Sequence, residues 1–498
     1  MPIRRSLAPL LLALAAACAP AARPATTPAP APAGRMAIAA ALDSIFNDTA
    51  LAHAHWGVLV RSLDRGETLY ARNAGRMFVP ASNMKIVTAA AALEALGPDY
   101  RYRTQLVGTG PVVNGTLQGD LLVVGSGDPT ISARFLGDPR AVFRAWADSL
   151  RARNITYIAG HLYGVDDVFD DLPYGRGWAW DDMEDAYSAG ISGLPFNEGV
   201  VAVELHPGDS VGAPARVVQF PPHGHPTVSV AAVTAPSGTE PDVDFEFTSQ
   251  GYVLSVSGSV PVDTVFRTDY PVQNNTLYFV EVLHRTLEEA GILADPAADA
   301  DGIPPGVTIG AGRTVLFTHS SPPMREILAA FLKPSQNQIG EILLKTLGAE
   351  LRGMGTAGAG AAVIDSMAAS WGLPRRLLSQ ADGSGLSRYN LVAPEFLVAL
   401  LERETRSPHA QVFADALPVG GRDGTLRTRM RGTPLEANVR AKTGTLSGVR
   451  SLSGYVTTAA GERLVFSMVV NHHTLSARDA DRVAEAALLR LMSLERAR

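Results

Sequence analysis

The chain has 498 residues, of which 46% are hydrophobic and 18% are charged, and this length predicts two or three domains around separate cores. Its 43 basic and 49 acidic residues give a net charge of −6 without any basic run, which excludes the electrostatic footprint of a nucleic-acid-binding protein. The eleven histidines are scattered and there is one cysteine, so we expect no metal site and no cofactor.

Residues 1–18 have the pattern of a signal peptide. Arg4 and Arg5 precede an apolar run over 7–17, which is too short to span a membrane and has the length of a secretory signal. The run ends at Cys18 in a context similar to the lipidation box of bacterial lipoproteins, and cleavage at a nearby small-residue site is the alternative. We therefore expect export to the bacterial periplasm or cell envelope, with membrane contact only through a lipid on Cys18 in the first case.

Residues 19–35 are rich in proline and alanine, which is typical of an extended, semi-rigid tether. An amphipathic helix is predicted next, over Met36 to Leu51. Two strands follow, from Trp56 to Leu63 and from Thr68 to Tyr70, with a turn between them. This order predicts a compact α+β beginning to the first folded domain.

The stretch from Val79 to Leu93 runs from a proline into an alanine-rich segment with high helix propensity, which predicts Ser82 at the start of a helix. Lys85 follows three residues later and would project from the same helix face. A serine hydroxyl becomes a good nucleophile when a base takes its proton, and a buried lysine with a lowered pKa can be that base. The alternative is a capping serine followed by a solvated lysine.

Residues 101–310 have a different character, with short strand-like runs separated by Gly/Asp turns and two helical stretches. This pattern predicts one or two mostly β domains inserted into another domain. The flanking segments, 36–100 and 311–498, both alternate strands with amphipathic helices. We therefore expect them to form one domain, an antiparallel sheet with flanking helices.

Two further polar elements lie in the second flanking segment. Ser335-x-Asn337 follows a predicted helix and opens the next, and Lys442-Thr443-Gly444 leads into a predicted strand pair. Taken singly, a capping serine or a lysine at a sheet edge explains each element. Together with the Ser-x-x-Lys element they stand in order on a helix start, a loop and a strand, which chance rarely produces.

This ordered set resembles that of the penicillin-recognising serine enzymes. Ser335 follows Ser82 after about 250 residues, an interval similar to that of the class C low-molecular-mass penicillin-binding proteins, the D-alanyl-D-alanine carboxypeptidase/endopeptidase family. Glycine-rich stretches at 119–130, 382–387 and 417–426 agree with this resemblance. It covers the chain from about residue 40 to the end, and it implies an α+β fold, a β-lactamase/transpeptidase-like domain with a large β-rich insertion of one or two domains.

The resemblance implies a serine DD-peptidase that acts on peptidoglycan stem peptides, is inhibited by β-lactams and needs no cofactor. Ser82 would be the nucleophile and Lys85 the base. Ser335 would relay a proton, Asn337 would hold the substrate amide, and Lys442 would keep Lys85 neutral and attract the substrate carboxylate. The remaining implied contacts are substrate binding by Thr443, Gly444 and Thr445, and an oxyanion hole made by the backbone N–H groups of Ser82 and Thr445.

The resemblance also implies a pocket in the insert for the free amino end of the stem residue, built from an aromatic ring and a carboxylate. Trp178, Asp181 and Tyr187 are the candidates for this pocket. A buried aromatic cluster on a loop is the alternative interpretation.

Two other functions are compatible with the same elements. A β-lactamase or esterase of this fold would need rapid deacylation, and the sequence offers no additional carboxylate base that we can assign. A non-catalytic penicillin-binding scaffold of the envelope would not need all three elements to be intact.

Overall fold

The structure is a computed structural model, and it describes residues 34–51, 53–222, 227–248, 253–299 and 313–495. The signal peptide predicted at 1–18, with Cys18, lies outside the described residues, as does nearly all of the tether predicted at 19–35.

A five-stranded antiparallel sheet joins the two ends of the chain. Its strands are β1 (His55–Ser62), β2 (Thr68–Arg72), β19 (Arg440–Leu446), β20 (Val449–Thr457) and β21 (Arg463–Asn471). They lie in the order β19-β20-β21-β1-β2, and β1 pairs along its whole length with β21, near the C-terminus.

Helices cover both faces of this sheet because the strands carry apolar side chains on both sides. On one face, Trp56, Val58 and Val60 of β1 join a core with α1 (Arg35–Phe46) and α11 (Ala477–Met492). Leu59, between them in sequence, joins the core of the opposite face, as the two-residue period of a strand requires. The helices of that core are α2 (Met84–Leu96), α6 (Met324–Leu332), α7 (Asn337–Arg352), α8 (Ala357–Ser370), α9 (Pro394–Glu404) and α10 (Ala410–Ala416).

Helix α2 lies at the centre of this domain, and all ten residues from Met84 to Leu93 are buried. Its four consecutive alanines, 89–92, let the surrounding helices approach closely on every side. A short two-stranded sheet, β17 (Leu378–Ser379) with β18 (Leu391–Val392), brackets the glycine-rich turn at 382–387. Thr88 of α2 donates a hydrogen bond to the Gly383 carbonyl, so this turn packs directly on the helix.

The insert contains a seven-stranded mixed sheet, in the order β16-β3-β6-β7-β5-β4 with β15 also paired to β7. Its strands are β3 (Arg103–Gly108), β4 (Val112–Val113), β5 (Thr116–Leu117), β6 (Leu121–Val124), β7 (Tyr157–Val165), β15 (Leu293–Asp299) and β16 (Thr314–Ser320). Three helices accompany this sheet, α3 (Ala133–Leu136), α4 (Ala141–Arg151) and α5 (Asn275–Glu289). Phe143 of α4 packs on Phe279 of α5 with 4.8 Å between ring centroids, inside the insert's own core.

Two smaller sheets complete the insert. One is antiparallel, in the order β14-β8-β9, with β8 (Val200–His206), β9 (Arg216–Phe220) and β14 (Phe266–Pro271). The other is built around β13, with β10 (Thr227–Val230), β11 (Val233–Ala235), β12 (Asp242–Thr248) and β13 (Val253–Pro261).

One expected boundary differs from the observed pairing. Strand β16 was expected in the catalytic segment that begins at 311, but it pairs with β3 in the insert's sheet. The residue pattern of 311–498 predicts strands in this segment but does not determine which sheet each strand joins, because pairing partners are set over long range. The chain re-enters the helical core only at α6, so the described insert extends to about Ser320.

Candidate active site

Ser82 lies in a 3₁₀ turn, Ala81–Asn83, that continues directly into α2. Ala81 is fully buried and has a positive φ of 48°, a conformation that a non-glycine residue adopts at a cost and that recurs at functional sites. Lys85 follows on the first turn of α2, and its amine reaches the Ser82 hydroxyl at 2.9 Å. The two side chains therefore meet, as the three-residue spacing predicts.

Three oxygen atoms surround the Lys85 amine, which is completely buried. Besides the Ser82 hydroxyl, they are Asn337 Oδ1 at 2.6 Å and the carbonyl oxygen of Ser384 at 2.7 Å. The amide and carbonyl oxygens can only accept hydrogen bonds, whereas the hydroxyl can also donate one. A neutral amine, with two N–H groups and one lone pair, fits this set when its lone pair faces the Ser82 hydroxyl.

Burial favours that neutral form. Loss of hydration lowers the pKa of Lys85 to about 7, and the negative charges of Asp382 and Glu341 only partly oppose this effect. A lysine in this state can take a proton near neutral pH, which a solvated lysine cannot do.

Asn337, the first residue of α7, has its amide fixed from both sides. Its Oδ1 accepts from Lys85, and its Nδ2 donates to the Tyr187 carbonyl at 2.9 Å. Tyr187 belongs to the insert, so the insert determines which way this amide points. Ser335, two residues earlier, has a positive φ of 68°, and its hydroxyl accepts from Lys442 Nζ at 2.8 Å.

Lys442 is fully buried on β19 and lies beneath the cleft rather than on its wall. Burial, and secondly repulsion from the protonated form of Lys85, lowers the pKa of Lys442 well below the usual value. Its amine also donates to its neighbour's carbonyl, that of Thr443, at 2.9 Å. The Thr443 hydroxyl is held by Thr425, with 2.7 Å between the two hydroxyl oxygens.

Gly444 lets β19 touch the turn that carries Ser82. A Cβ atom at Gly444 would lie 2.7 Å from the Pro80 carbonyl oxygen and 3.0 Å from the Ser82 backbone nitrogen. The Ser451 hydroxyl, on the neighbouring strand, donates to the same Pro80 carbonyl at 2.7 Å. The Ser82 backbone N–H is thereby placed beside the strand that carries Thr445. Thr445 itself is exposed, and its hydroxyl accepts from the Arg450 guanidinium.

Several of the residues described above border one cleft of about 410 Å³, whereas Lys85 and Lys442 lie behind its wall. From the expected site residues it includes Ser82, Ser335, Asn337, Thr443, Gly444, Thr445 and Tyr187. The insert contributes further wall residues, Gly177, Ala179 and Asp182, and the domain around the sheet adds Arg388 and Thr425.

Two of the three expected pocket residues lie elsewhere. Trp178 is buried, and its indole N–H donates to Asp382 at 3.0 Å, so it supports the glycine-rich turn instead of lining the cleft. Asp181 is exposed and does not border the cleft, whereas its neighbour Asp182 does. The Tyr187 hydroxyl donates to Asp182 Oδ1 at 2.7 Å. The aromatic and acidic pair in the cleft wall is therefore Tyr187 with Asp182.

Sequence reasoning noted the turn at 382–387 without assigning a role to Asp382, and it missed Glu341; both are buried polar residues behind the cleft. Asp382 accepts hydrogen bonds from the Gly385 and Ser387 N–H groups at 2.7 and 2.6 Å, and Asn390 donates to it at 2.6 Å. Glu341 accepts from two N–H groups of the same turn. The available signal for Glu341 was its spacing, because it stands four residues after Asn337 and shares its helix face.

Comparison with known sequences identifies the family. The sequence model described as the D-Ala-D-Ala carboxypeptidase 3 (S13) family matches residues 38–491. The chain belongs to this family. The S13 chain is 37% identical over 457 residues to the D-alanyl-D-alanine carboxypeptidase of Actinomadura sp. (strain R39), covering 87% of this chain and 80% of the relative. It is 27% identical over 430 residues to D-alanyl-D-alanine carboxypeptidase DacB of Haemophilus influenzae, covering 84% and 85% of the two chains. The resemblance noted from the sequence is confirmed.

Solved structures confirm the fold class expected for an S13 chain. The crystal structure of penicillin binding protein 4 (dacB) from Haemophilus influenzae matches with a TM-score of 0.77 and 24% identity, covering 91% of this chain and 98% of that one. The same protein complexed with a novel β-lactam matches with a TM-score of 0.73.

Neither a membrane-spanning helix nor a group of metal-binding side chains occurs among the described residues. None of the helices described is long and apolar enough to cross a membrane. Within the same residues, no three or more His, Cys, Asp or Glu side chains are grouped so that they could hold a metal ion.

Proposed function

We propose that this chain is a serine-type D-Ala-D-Ala carboxypeptidase that hydrolyses peptidoglycan stem peptides through an acyl-enzyme on Ser82. Membership of the S13 family and the activity named for its relatives support the reaction class. The observation that carries the proposal in this chain is the environment of Lys85. Its buried amine lies 2.9 Å from Ser82 Oγ and has two further oxygen acceptors, so the neutral amine can donate to those two and turn its lone pair to the Ser82 hydroxyl.

Acylation begins when Lys85 takes the Ser82 hydroxyl proton and the oxygen attacks the carbonyl carbon of the penultimate D-Ala. The negative charge on the carbonyl oxygen is held by the backbone N–H groups of Ser82 and Thr445. Each such donor contributes about 10²–10³ in rate. The carbon–nitrogen bond then breaks, and the departing D-Ala amine receives its proton through the Ser335 hydroxyl, which accepts a hydrogen bond from Lys442. Lys85 resupplies the proton to this path, so its neutral form returns.

Deacylation repeats the sequence with water in place of the hydroxyl. Lys85 takes a proton from the attacking water, the ester bond to Ser82 breaks, and the serine oxygen regains its proton. The product is a stem peptide shortened by one D-Ala.

Substrate binding uses both walls of the cleft. The C-terminal carboxylate of the substrate binds the hydroxyls of Thr443 and Thr445, with the Lys442 amine beneath them. Asn337 faces the substrate amide. At the opposite end, Asp182 takes the role expected of Asp181 and binds the free amino group of the stem residue beside Tyr187.

The same chemistry extends to two other ligands. A D-Ala–diamino-acid cross-link presents the same carbonyl before its scissile bond, so endopeptidase cleavage uses the same groups. A β-lactam carries a strained amide and a carboxylate and acylates Ser82 without ready hydrolysis. Binding by the Haemophilus influenzae relative supports this ligand class. Export to the cell envelope, with Cys18 as a lipid anchor, completes the proposal.

Mass spectrometry of purified muropeptides tests the reaction. The wild-type protein is expected to release free D-Ala, and conversion of dimers to monomers would report endopeptidase cleavage. Ser82→Ala is expected to abolish both, whereas Ser210→Ala, an equal change at an exposed residue of the insert, is expected to leave them unchanged. Full activity of the Ser82→Ala protein would remove the nucleophile from the mechanism.

A fluorescent penicillin separates the alternatives. Stable labelling that depends on Ser82 supports the peptidase, whereas rapid turnover of the label would indicate a β-lactamase. The absence of labelling would indicate a scaffold.

A further inference from the structure

Glu341 is a carboxylate buried behind the active site. Its residue is 2% exposed, and among the described residues no lysine or arginine forms an ion pair with it. Lys345, one turn further along α7, pairs instead with Asp170 at 2.6 Å. Burying a carboxylate costs free energy because the group loses its hydration, so Glu341 needs a specific interaction that offsets this loss.

That interaction is with the turn that orients Lys85. Glu341 accepts hydrogen bonds from the Gly383 N–H at 2.9 Å and the Ser384 N–H at 2.8 Å. The carbonyl of the same residue, Ser384, accepts from Lys85 at 2.7 Å. Ser384 thus carries both contacts, with Glu341 on its N–H and Lys85 on its carbonyl.

The turn has no room to move toward α7. A Cβ atom at Gly383 would lie 2.0 Å from the Gly340 carbonyl oxygen, so this part of the turn touches the helix backbone beside Glu341. A small displacement of the carboxylate would therefore displace the Ser384 carbonyl, which is the third partner of the Lys85 amine.

The charges around Glu341 connect it to the base as well. Lys85 and Asp382 face Glu341 across the turn. Lys345 lies beside it on α7, and Glu341 and Lys345 both border a second cavity of about 260 Å³. Burial and the charge of Asp382 raise the pKa of Glu341 to about 7. When ionised, Glu341 favours the protonated form of Lys85.

We propose that Glu341 is a positioning residue of the acylation step, which holds the Gly383–Ser384 turn so that the lone pair of Lys85 faces Ser82 and whose charge helps to set the pH at which Lys85 becomes a base. This inference rests on the proposed role of Lys85. It concerns a residue that touches neither substrate nor nucleophile.

The pH dependence of penicillin acylation tests it. For Glu341→Gln we expect the plateau rate at high pH to fall by about 10- to 100-fold, since a misplaced base loses its alignment. We also expect the midpoint of the profile to move to lower pH by about one unit, because removing a nearby negative charge makes protonated Lys85 less favourable. Glu350→Gln, the same change at an exposed position of α7, should alter neither quantity.

The proposal would be overturned if the plateau rate of Glu341→Gln stayed within about twofold of wild type and the midpoint stayed within a few tenths of a pH unit. A lower rate with an unmoved midpoint and a matching loss of thermal stability would also overturn it, because that is the result of a purely structural role. If Glu341→Gln does not fold, Glu341→Asp decides, since it keeps the charge and withdraws the carboxylate. A lower plateau with an unmoved midpoint is then expected, and a wild-type plateau would refute the proposal. Failure of the wild-type protein to acylate would instead refute the proposed function.

Discussion

Gly444→Ala is the sharpest test of how the two halves of the catalytic domain meet. The added methyl carbon would lie 2.1 Å from Ser451 Oγ, 2.7 Å from the Pro80 carbonyl oxygen and 3.0 Å from the Ser82 nitrogen. The Ser451 hydroxyl can rotate away, but the Pro80 carbonyl belongs to the backbone. Strand β19 must therefore separate from the Ser82 turn by about 1 Å.

Two magnitudes follow from that separation. Overpacking of this kind lowers the free energy of unfolding by about 1–3 kcal/mol. The separation also pulls apart the two N–H groups proposed as the oxyanion hole, and losing one such donor lowers a rate by about 10²–10³-fold. We expect penicillin acylation by Gly444→Ala to slow by that factor, a larger effect than the change in stability would cause alone.

Stopped-flow acylation with a fluorescent penicillin measures the rate, and urea unfolding measures the stability. Gly358→Ala is the matched control, because the nearest atom to a Cβ there, Thr356 Oγ1, is 3.9 Å away. This control should keep the wild-type rate and gain up to about 1 kcal/mol. Acylation by Gly444→Ala at the wild-type rate would refute the reasoning, since the strand would then not need to approach the turn so closely.

Three other predictions concern the base, the cleft wall and the turn. Acylation should rise with pH through about 7, because Lys85 has a lone pair only after it loses its proton. Asp182→Asn should raise the KM for stem peptides with a free amino group by about tenfold without changing penicillin acylation, and Asp181→Asn should change neither. Trp178→Phe should lower the free energy of unfolding by about 1–2 kcal/mol, through loss of the bond to Asp382, and leave KM unchanged.

Each of these has a contrary outcome. An acylation rate that is flat between about pH 6 and 8 would show that Lys85 is not the titrating base. Equal effects of the Asp181 and Asp182 variants on KM would show that Asp182 does not bind the substrate's amino group specifically. A large rise in KM for Trp178→Phe would show that Trp178 contributes to substrate binding after all.

The parts of the site that depend on local spacing could be predicted from the sequence. Ser82 and Lys85 meet because three residues span nearly one helical turn, and the strand pair after Lys442-Thr443-Gly444, β20 and β21, is recognisable from its own residues. Strand β16 shows the limit of the same reasoning. Its residues specify a strand, but its pairing with β3 depends on the packing of the whole insert.

Other parts depend on atoms brought together from distant segments. Asp182 faces the cleft and Asp181 does not, because the two lie on a 3₁₀ turn, Trp180–Asp182, where side-chain direction follows no simple alternation. Glu341 and Asp382 look like solvated residues in sequence, since carboxylates are seldom buried. They are buried here because the turn at 382–387 offers backbone N–H groups that satisfy them.

The insert contributes directly to the orientation of the catalytic base, through the Tyr187 carbonyl and the Asn337 amide. If the Asn337 amide turned over, its NH₂ group would face the Lys85 amine, and Lys85 would lose one of the two acceptors that direct its lone pair to Ser82. The Tyr187 carbonyl opposes that rotation because it accepts from the Asn337 NH₂ group at 2.9 Å. Since Tyr187 is an insert residue, the direction of the Lys85 lone pair depends on how the insert packs against the catalytic domain. A change in docking that moved this one carbonyl would slow acylation without touching Ser82 or Lys85.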